Sequence, residues 1–152
     1  MSFEKRILEL GLNLPDAPKA IASYIPAQKS GNLLFTSGQL PVRNGEMLSK
    51  GPIRAGMDLN PAFEASKQAC LNALSAAKAL LGTLDKVEKV LKMNVFVASE
   101  PSFTEQHLVA NSASELLQLI FGEDGRHARA AVGVSSLPLN ASLELELILL
   151  LK

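Results

Sequence analysis

An α+β sandwich, with helices packed on one face of a mixed sheet, is the fold this sequence predicts. Three observations carry the prediction. Two long segments, about 60–81 and 101–121, place apolar residues at helical spacing and are followed by Gly82 and Gly122. Shorter segments cluster or alternate apolar residues as strands do, the last being LELELILLL. The order is helix, strands, helix, strand, helix, strand, strand. No repeat, linker or low-complexity stretch divides it, so 1–152 reads as one domain.

The elements follow in turn. Residues 3–12 place Phe3, Ile7, Leu8 and Leu10 at helical spacing, with Gly11 as a stop. The segment 13–32 carries three prolines and reads as loop and edge strand. A strand is expected over about 33–37, broken at Gly38, and Asn44-Gly45 is a hairpin-turn dipeptide. Asn60-Pro61 supplies a capping oxygen and a proline where no N–H is needed, and the helix runs to Leu81 with Phe63, Cys70, Leu74, Ala77 and Leu81 on one stripe. A strand centres on Val95, Phe96 and Val97, and Pro101-Ser102 opens the next helix. The last two strands, roughly 129–136 and 142–151, are expected to form a hairpin turned by LPLN.

Bulk properties narrow the function classes. With 152 residues, 47% of them hydrophobic and 20% charged, the chain can bury roughly two-thirds of its unfolded surface in one core. Its formal net charge is zero and no basic run exceeds two residues, so it lacks the electrostatic footprint of a nucleic-acid binder. A neutral, apolar chain also resists association poorly, so oligomers are expected. The single cysteine excludes an intrachain disulfide and suits the cytoplasm. The charged N-terminus is unlike a signal peptide, and no apolar run approaches the ~20 residues of a membrane helix. A soluble, cytoplasmic protein is expected.

Charges inside apolar strands are the candidate chemistry, because a bare buried charge is costly. Arg129, Ala131, Gly133 and Ser135 alternate with Ala130, Val132 and Val134. The valine set is expected to face the core. The other set surrounds one guanidinium with small residues, as a carboxylate pocket would; an edge-strand arginine in water fits as well. Glu144 and Glu146 point away from the leucine face, yet Ile148 and Leu150 continue their side, so that face is expected to be covered, by a second subunit in a single-layer sandwich. In the expected hairpin, Arg129 lies opposite Leu149, about 15 Å from Glu144. Either a bulge shifts the register or the two charges meet across a subunit boundary. Tyr24, Ser37-Gly38 and mid-helix Asn111 are weaker polar candidates. His107, His127 and Cys70 show no metal-ligand spacing, no phosphate loop follows a strand, and Cys70 fits the core.

The stretches NLLFTSGQLPV, NVFVAS and ARAAVGVSSLPLNASLELELI resemble the Rid/YjgF (reactive intermediate deaminase, endoribonuclease L-PSP-like) family. The resemblance covers about 20–152, leaving 1–20 as an N-terminal helical extension. It implies a chorismate-mutase-like fold assembled as a trimer around a central β-barrel, with ligand sites in the clefts between subunits. By the matched motifs, Arg129 resembles the arginine that grips the substrate carboxylate, and Glu144 the glutamate that positions or activates water. Tyr24, Ser37 and Gly38 would line the cleft, as would Asn111 if one residue is inserted after it. Ala131 stands where many relatives have cysteine, and Gly133 where they have an acidic or bulkier residue, so substrate preference should differ.

The activity implied is hydrolysis of enamine/imine intermediates such as 2-iminobutanoate and 2-iminopropanoate to 2-oxo acids and ammonia, with no cofactor and no metal. The alternative within the fold is a non-catalytic binder of small carboxylic acids. The implied partners are a small imine or 2-oxo acid and two further copies of the chain, with neither nucleic acid nor membrane.

Overall fold

A computed structural model describes residues 2–17, 19 and 23–152. Among these residues three α-helices and seven strands follow in chain order: α1 (Phe3–Glu9), β1 (Ala27–Ser30), β2 (Leu33–Thr36), β3 (Val42–Arg43), β4 (Glu46–Met47), α2 (Asn60–Leu81), β5 (Val87–Ala98), α3 (Gln106–Phe121), β6 (Ala128–Val134) and β7 (Leu143–Leu151). Five strands form one mixed sheet in the order β1-β2-β7-β5-β6, and β3-β4 make a separate hairpin through Asn44 and Gly45, both at positive φ. The expected α+β class is the one observed.

Helix α2 begins where Asn60-Pro61 predicted, although Asn60 is its first residue rather than its cap; the Asn60 N–H donates to Asp58 Oδ1 at 3.0 Å. It ends where Gly82, at φ 86°, returns its N–H to the Lys78 carbonyl. Ala65, Ala69, Ala73 and Ala77 are fully buried, letting the helix lie close to the sheet. Helix α3 starts at Gln106, five residues later than Pro101-Ser102 suggested, because residues 101–105 form a turn and an irregular link. Helix α1 is tied to the far end of the domain: the Phe3 ring lies 4.5 Å from that of Phe121, the Phe3 N–H donates to Asp85, and the Leu84 N–H to Glu4.

The strand pairing corrects the expected hairpin. β6 pairs in parallel with β5, with α3 as the crossover that a parallel pair requires, while β7 pairs antiparallel with the opposite edge of β5. The connection 135–142 does not turn back on itself because the loop before it in sequence ties it down. Gly51 N–H donates to the Asn140 carbonyl, Ser142 N–H to the Ser49 carbonyl, and Ser142 Oγ to the Gly51 carbonyl. The chain thus passes across the end of β5 and descends on its far side.

Leu143, Leu145, Leu147, Leu149 and Leu151 are all at most 5% exposed and face the helices with Met93, Val95 and Val97. The opposite face carries Glu144, Glu146, Ile148 and Leu150, all half-buried, with Phe35 and Val132 exposed at 40% and 45%. Nothing among the described residues covers this apolar face. Among the described residues no helix is long and apolar enough to cross a membrane.

Candidate functional site

Arg129 pairs in register with Met93, which places Arg129, Ala131 and Gly133 on the helix side of the sheet. The expected faces of this strand are therefore reversed: Val132 points to the open side. The small residues are there because α3 lies close. A Cβ on Gly133 would come within 2.9 Å of Gln106 Nε2, and Ala131 packs against the core. The valines, free of that restriction, stand on the uncovered face.

The guanidinium of Arg129 is held by α3. Its Nη1 donates to Asn111 Oδ1 at 2.9 Å and to Ser114 Oγ at 3.1 Å, using both Nη1 protons. Asn111 is thus joined to Arg129, and its place mid-helix has a hydrogen-bonding reason. Among the described residues Nε and Nη2 make no hydrogen bond and no carboxylate lies within ion-pair distance. That side of the guanidinium is the fork that takes a carboxylate through two parallel bonds. A cavity of about 330 Å³ opens beside it, lined by Ser114, Gln118, Arg126, His127 and Arg129.

The second group lies elsewhere. Glu144 is level with Phe96 on β5 and with Val132 beyond it, on the open face of the sheet. Its side chain lies over Gly38, where a Cβ would stand 2.8 Å from its Cδ. Glycine at 38 is therefore a requirement of close approach. Burial, and then the neighbouring Glu146 charge, push the Glu144 carboxyl above its ordinary value. Glu146 accepts a hydrogen bond from Asn94 Nδ2 at 3.0 Å, whereas Glu144 has no partner among the described residues. Gly38 also lines a larger cavity of about 590 Å³ with Tyr24, Gln39, Leu40 and Asn72, and Pro15, Asp16 and Lys19 border it too. It is the chain after α1, not α1 itself, that borders this cavity. Ser37 does not line this cavity; its hydroxyl donates to the Ile25 carbonyl at 2.6 Å.

The predicted residues therefore fall into two groups, Arg129 with Asn111 and Ala131, and Glu144 with Gly38, Tyr24 and Ser37. The chain does not bring them together. Two strand spacings and three residues separate the Arg129 and Glu144 backbones, roughly 14 Å, and the side chains leave opposite faces. Sequence reasoning missed Ser114 and His127. Ser114 had a signal: it stands three residues after Asn111 and so on the same side of the helix. Cys70, by contrast, is simply core, its thiol pushed up to about 12 by burial. Among the described residues no three His, Cys, Asp or Glu side chains gather as a metal site.

Known proteins share this architecture. Residues 4–151 match the family described as "YjgF/chorismate_mutase-like, putative endoribonuclease". Protein TCP17 of Trypanosoma cruzi is 44% identical over 138 residues, 90% of this chain and 86% of its own. The 2-iminobutanoate/2-iminopropanoate deaminase of Dermatophagoides farinae is 31% identical, with 93% and 95% of the two chains covered. The crystal structure of a protein of unknown function from Agrobacterium tumefaciens superposes with a TM-score of 0.91 at 47% identity, covering 99% of this chain and 92% of that one. With both the profile match and the relatives spanning almost its whole length, this chain belongs to the YjgF/chorismate mutase-like family.

Proposed function

We propose that the protein hydrolyses 2-imino acids, such as 2-iminobutanoate, to 2-oxo acids and ammonia, without a cofactor, as a cytoplasmic homotrimer whose sites form between copies. The observation that carries this reading is the Arg129 guanidinium, immobilised through Nη1 by Asn111 and Ser114 with its Nε/Nη2 fork left for a carboxylate. Family membership and the deaminase among its relatives support the substrate class. The apolar, uncovered sheet face and the two separated half-sites support the assembly: a neighbouring copy would cover the first and complete the second.

The chemistry asks little of the protein. The carboxylate of the imino acid docks on Arg129, fixing the C=N carbon in position. Glu144 takes a proton from water as the oxygen bonds to the carbon of the protonated imine, whose C=N electron pair moves to nitrogen and leaves it a neutral amine. That proton returns to nitrogen, the C–N bond breaks as the hydroxyl proton passes back to Glu144 and the oxygen closes to the ketone, and the departing ammonia carries the proton away as ammonium. A carboxyl raised by burial suits both directions of this transfer.

Imine generated in situ by an amino-acid oxidase, with semicarbazide trapping the surviving imine, tests the activity. The wild type is expected to accelerate 2-oxo acid formation and Arg129→Ala to lose that effect; equal rates in the two would sink the reading. Binding of 2-oxobutanoate without turnover would instead identify a binding member of the family.

A further inference from the structure

Ser114, which holds Arg129, is itself held. Its Oγ lies 3.0 Å from His127 Nε2, and His127 Nδ1 lies 2.7 Å from the Gly125 carbonyl oxygen. The direction of every bond follows from the groups present. A carbonyl can only accept, so Nδ1 carries the ring proton. In the neutral ring Nε2 is then an acceptor and takes the Ser114 hydroxyl proton. That turns the Ser114 lone pairs toward Arg129, whose Nη1 can only donate. The chain runs one way, from Arg129 through Ser114 and His127 to the Gly125 carbonyl.

We infer that neutral His127 is a positioning residue for Arg129, acting through the Ser114 hydroxyl, so that carboxylate binding weakens when His127 is protonated. The inference rests on the reading of Arg129 as the carboxylate anchor. Protonation puts a second donor on Ser114 Oγ, turns its hydroxyl proton out of the chain, and sets an imidazolium beside a guanidinium. Half-burial and the Arg129 charge already favour the neutral ring, against the opposing pull of the Gly125 carbonyl. Of the other charged groups around it, Arg126 lines the same cavity and is paired with exposed Glu123 at 3.5 Å. Asp124 and Glu115, on the flanking turn and on α3, are exposed. Lys92, level with Ala128, belongs to the other face of the sheet.

The test uses the full chain, with 2-oxobutanoate as the probe ligand. As pH falls from about 8 to below the ring's ordinary 6.5, the wild-type Kd should rise, by up to roughly three- to tenfold once the ring is protonated, the worth of one hydrogen bond. His127→Gln offers Ser114 an acceptor that cannot be protonated; it should bind like the wild type at the higher pH and lose this pH dependence. Ser114→Ala should bind roughly three- to tenfold more weakly at the higher pH and also respond less to acid. Nitrogen NMR of the His127 ring should show the Nδ1–H form at neutral pH. An Nε2–H form, or a wild-type pH dependence retained in His127→Gln, would overturn the inference. A wild type that binds no 2-oxobutanoate would overturn it together with the anchor reading, and the ring NMR in the same sample would show whether the hydrogen-bond chain itself stands. Absence of imine turnover with binding intact removes only the deaminase reading.

Discussion

Arg129 and Glu144 stand on opposite faces of one sheet, and their surroundings differ in kind. Arg129 leaves the helix face and has two fixed acceptors on α3, with a further hydrogen bond behind Ser114. Glu144 leaves the uncovered face, lies over a glycine, has no hydrogen-bond partner among the described residues, and is pushed toward its protonated form. One half is built to hold a charge still, and the other is left unsatisfied until something comes to it. A rigid anchor and an unsatisfied carboxyl are the two components that water addition to an imine requires.

Substitutions can sharpen this contrast, beginning with the largest effect. Arg129→Ala should lower kcat/KM by roughly 10²- to 10⁴-fold, the loss of two charge-assisted bonds, while circular dichroism stays native. Glu144→Gln should lower kcat by a similar ~10²- to 10⁴-fold with a smaller change in KM. It should also separate function from stability. A carboxyl whose folded value is raised stabilises the fold when protonated and loses that contribution as pH rises through the folded value. The Gln variant should therefore melt slightly higher than wild type at neutral pH, by a fraction of a kcal/mol given solvent screening, and the gap should close below the carboxyl's ordinary 4.5. A lower melting temperature at neutral pH would contradict an unsatisfied Glu144.

Two glycines carry the comparison further. Gly38→Ala pushes the Glu144 carboxylate aside and should reduce turnover roughly tenfold to a hundredfold with little loss of stability. Gly133→Ala crowds the tip of Gln106 and makes ordinary contact with Ser99, and should leave turnover within about twofold and stability within about 0.5 kcal/mol. Similar losses in both would mean that Gly38 serves the backbone rather than Glu144; melting curves beside the rate assay decide it.

Much of the fold was legible because its signals are local. Asn60-Pro61 and Gly82 bracket α2 within a residue, Asn44-Gly45 turns the small hairpin, and the alternating leucines of β7 all face the core. The neighbours of β5 were not legible. A parallel β5–β6 pair depends on where α3 carries the chain, and the contacts of Ser49–Gly51 with Asn140 and Ser142 span about ninety residues, information no window of sequence contains. The same limit hid the face of Arg129: on an edge strand valines can lie on an uncovered side, and small residues mark where a helix comes near. Arg129, Glu144 and Asn111 could be singled out as charges or amides in unfavourable places, and Asn111 did join Arg129. His127 could not, since its task depends on a serine thirteen residues away meeting it in space.

The central claim is that Arg129 of one copy works with Glu144 of another, and subunit mixing tests it most directly. Arg129→Ala and Glu144→Gln proteins, each inactive alone, are denatured and refolded together in equal amounts, with hybrid formation checked by native mass spectrometry. Random trimers with one intact interface in each hybrid should recover about a quarter of wild-type activity. Hybrids that form and stay inactive would place both residues' work within a single chain and contradict the account.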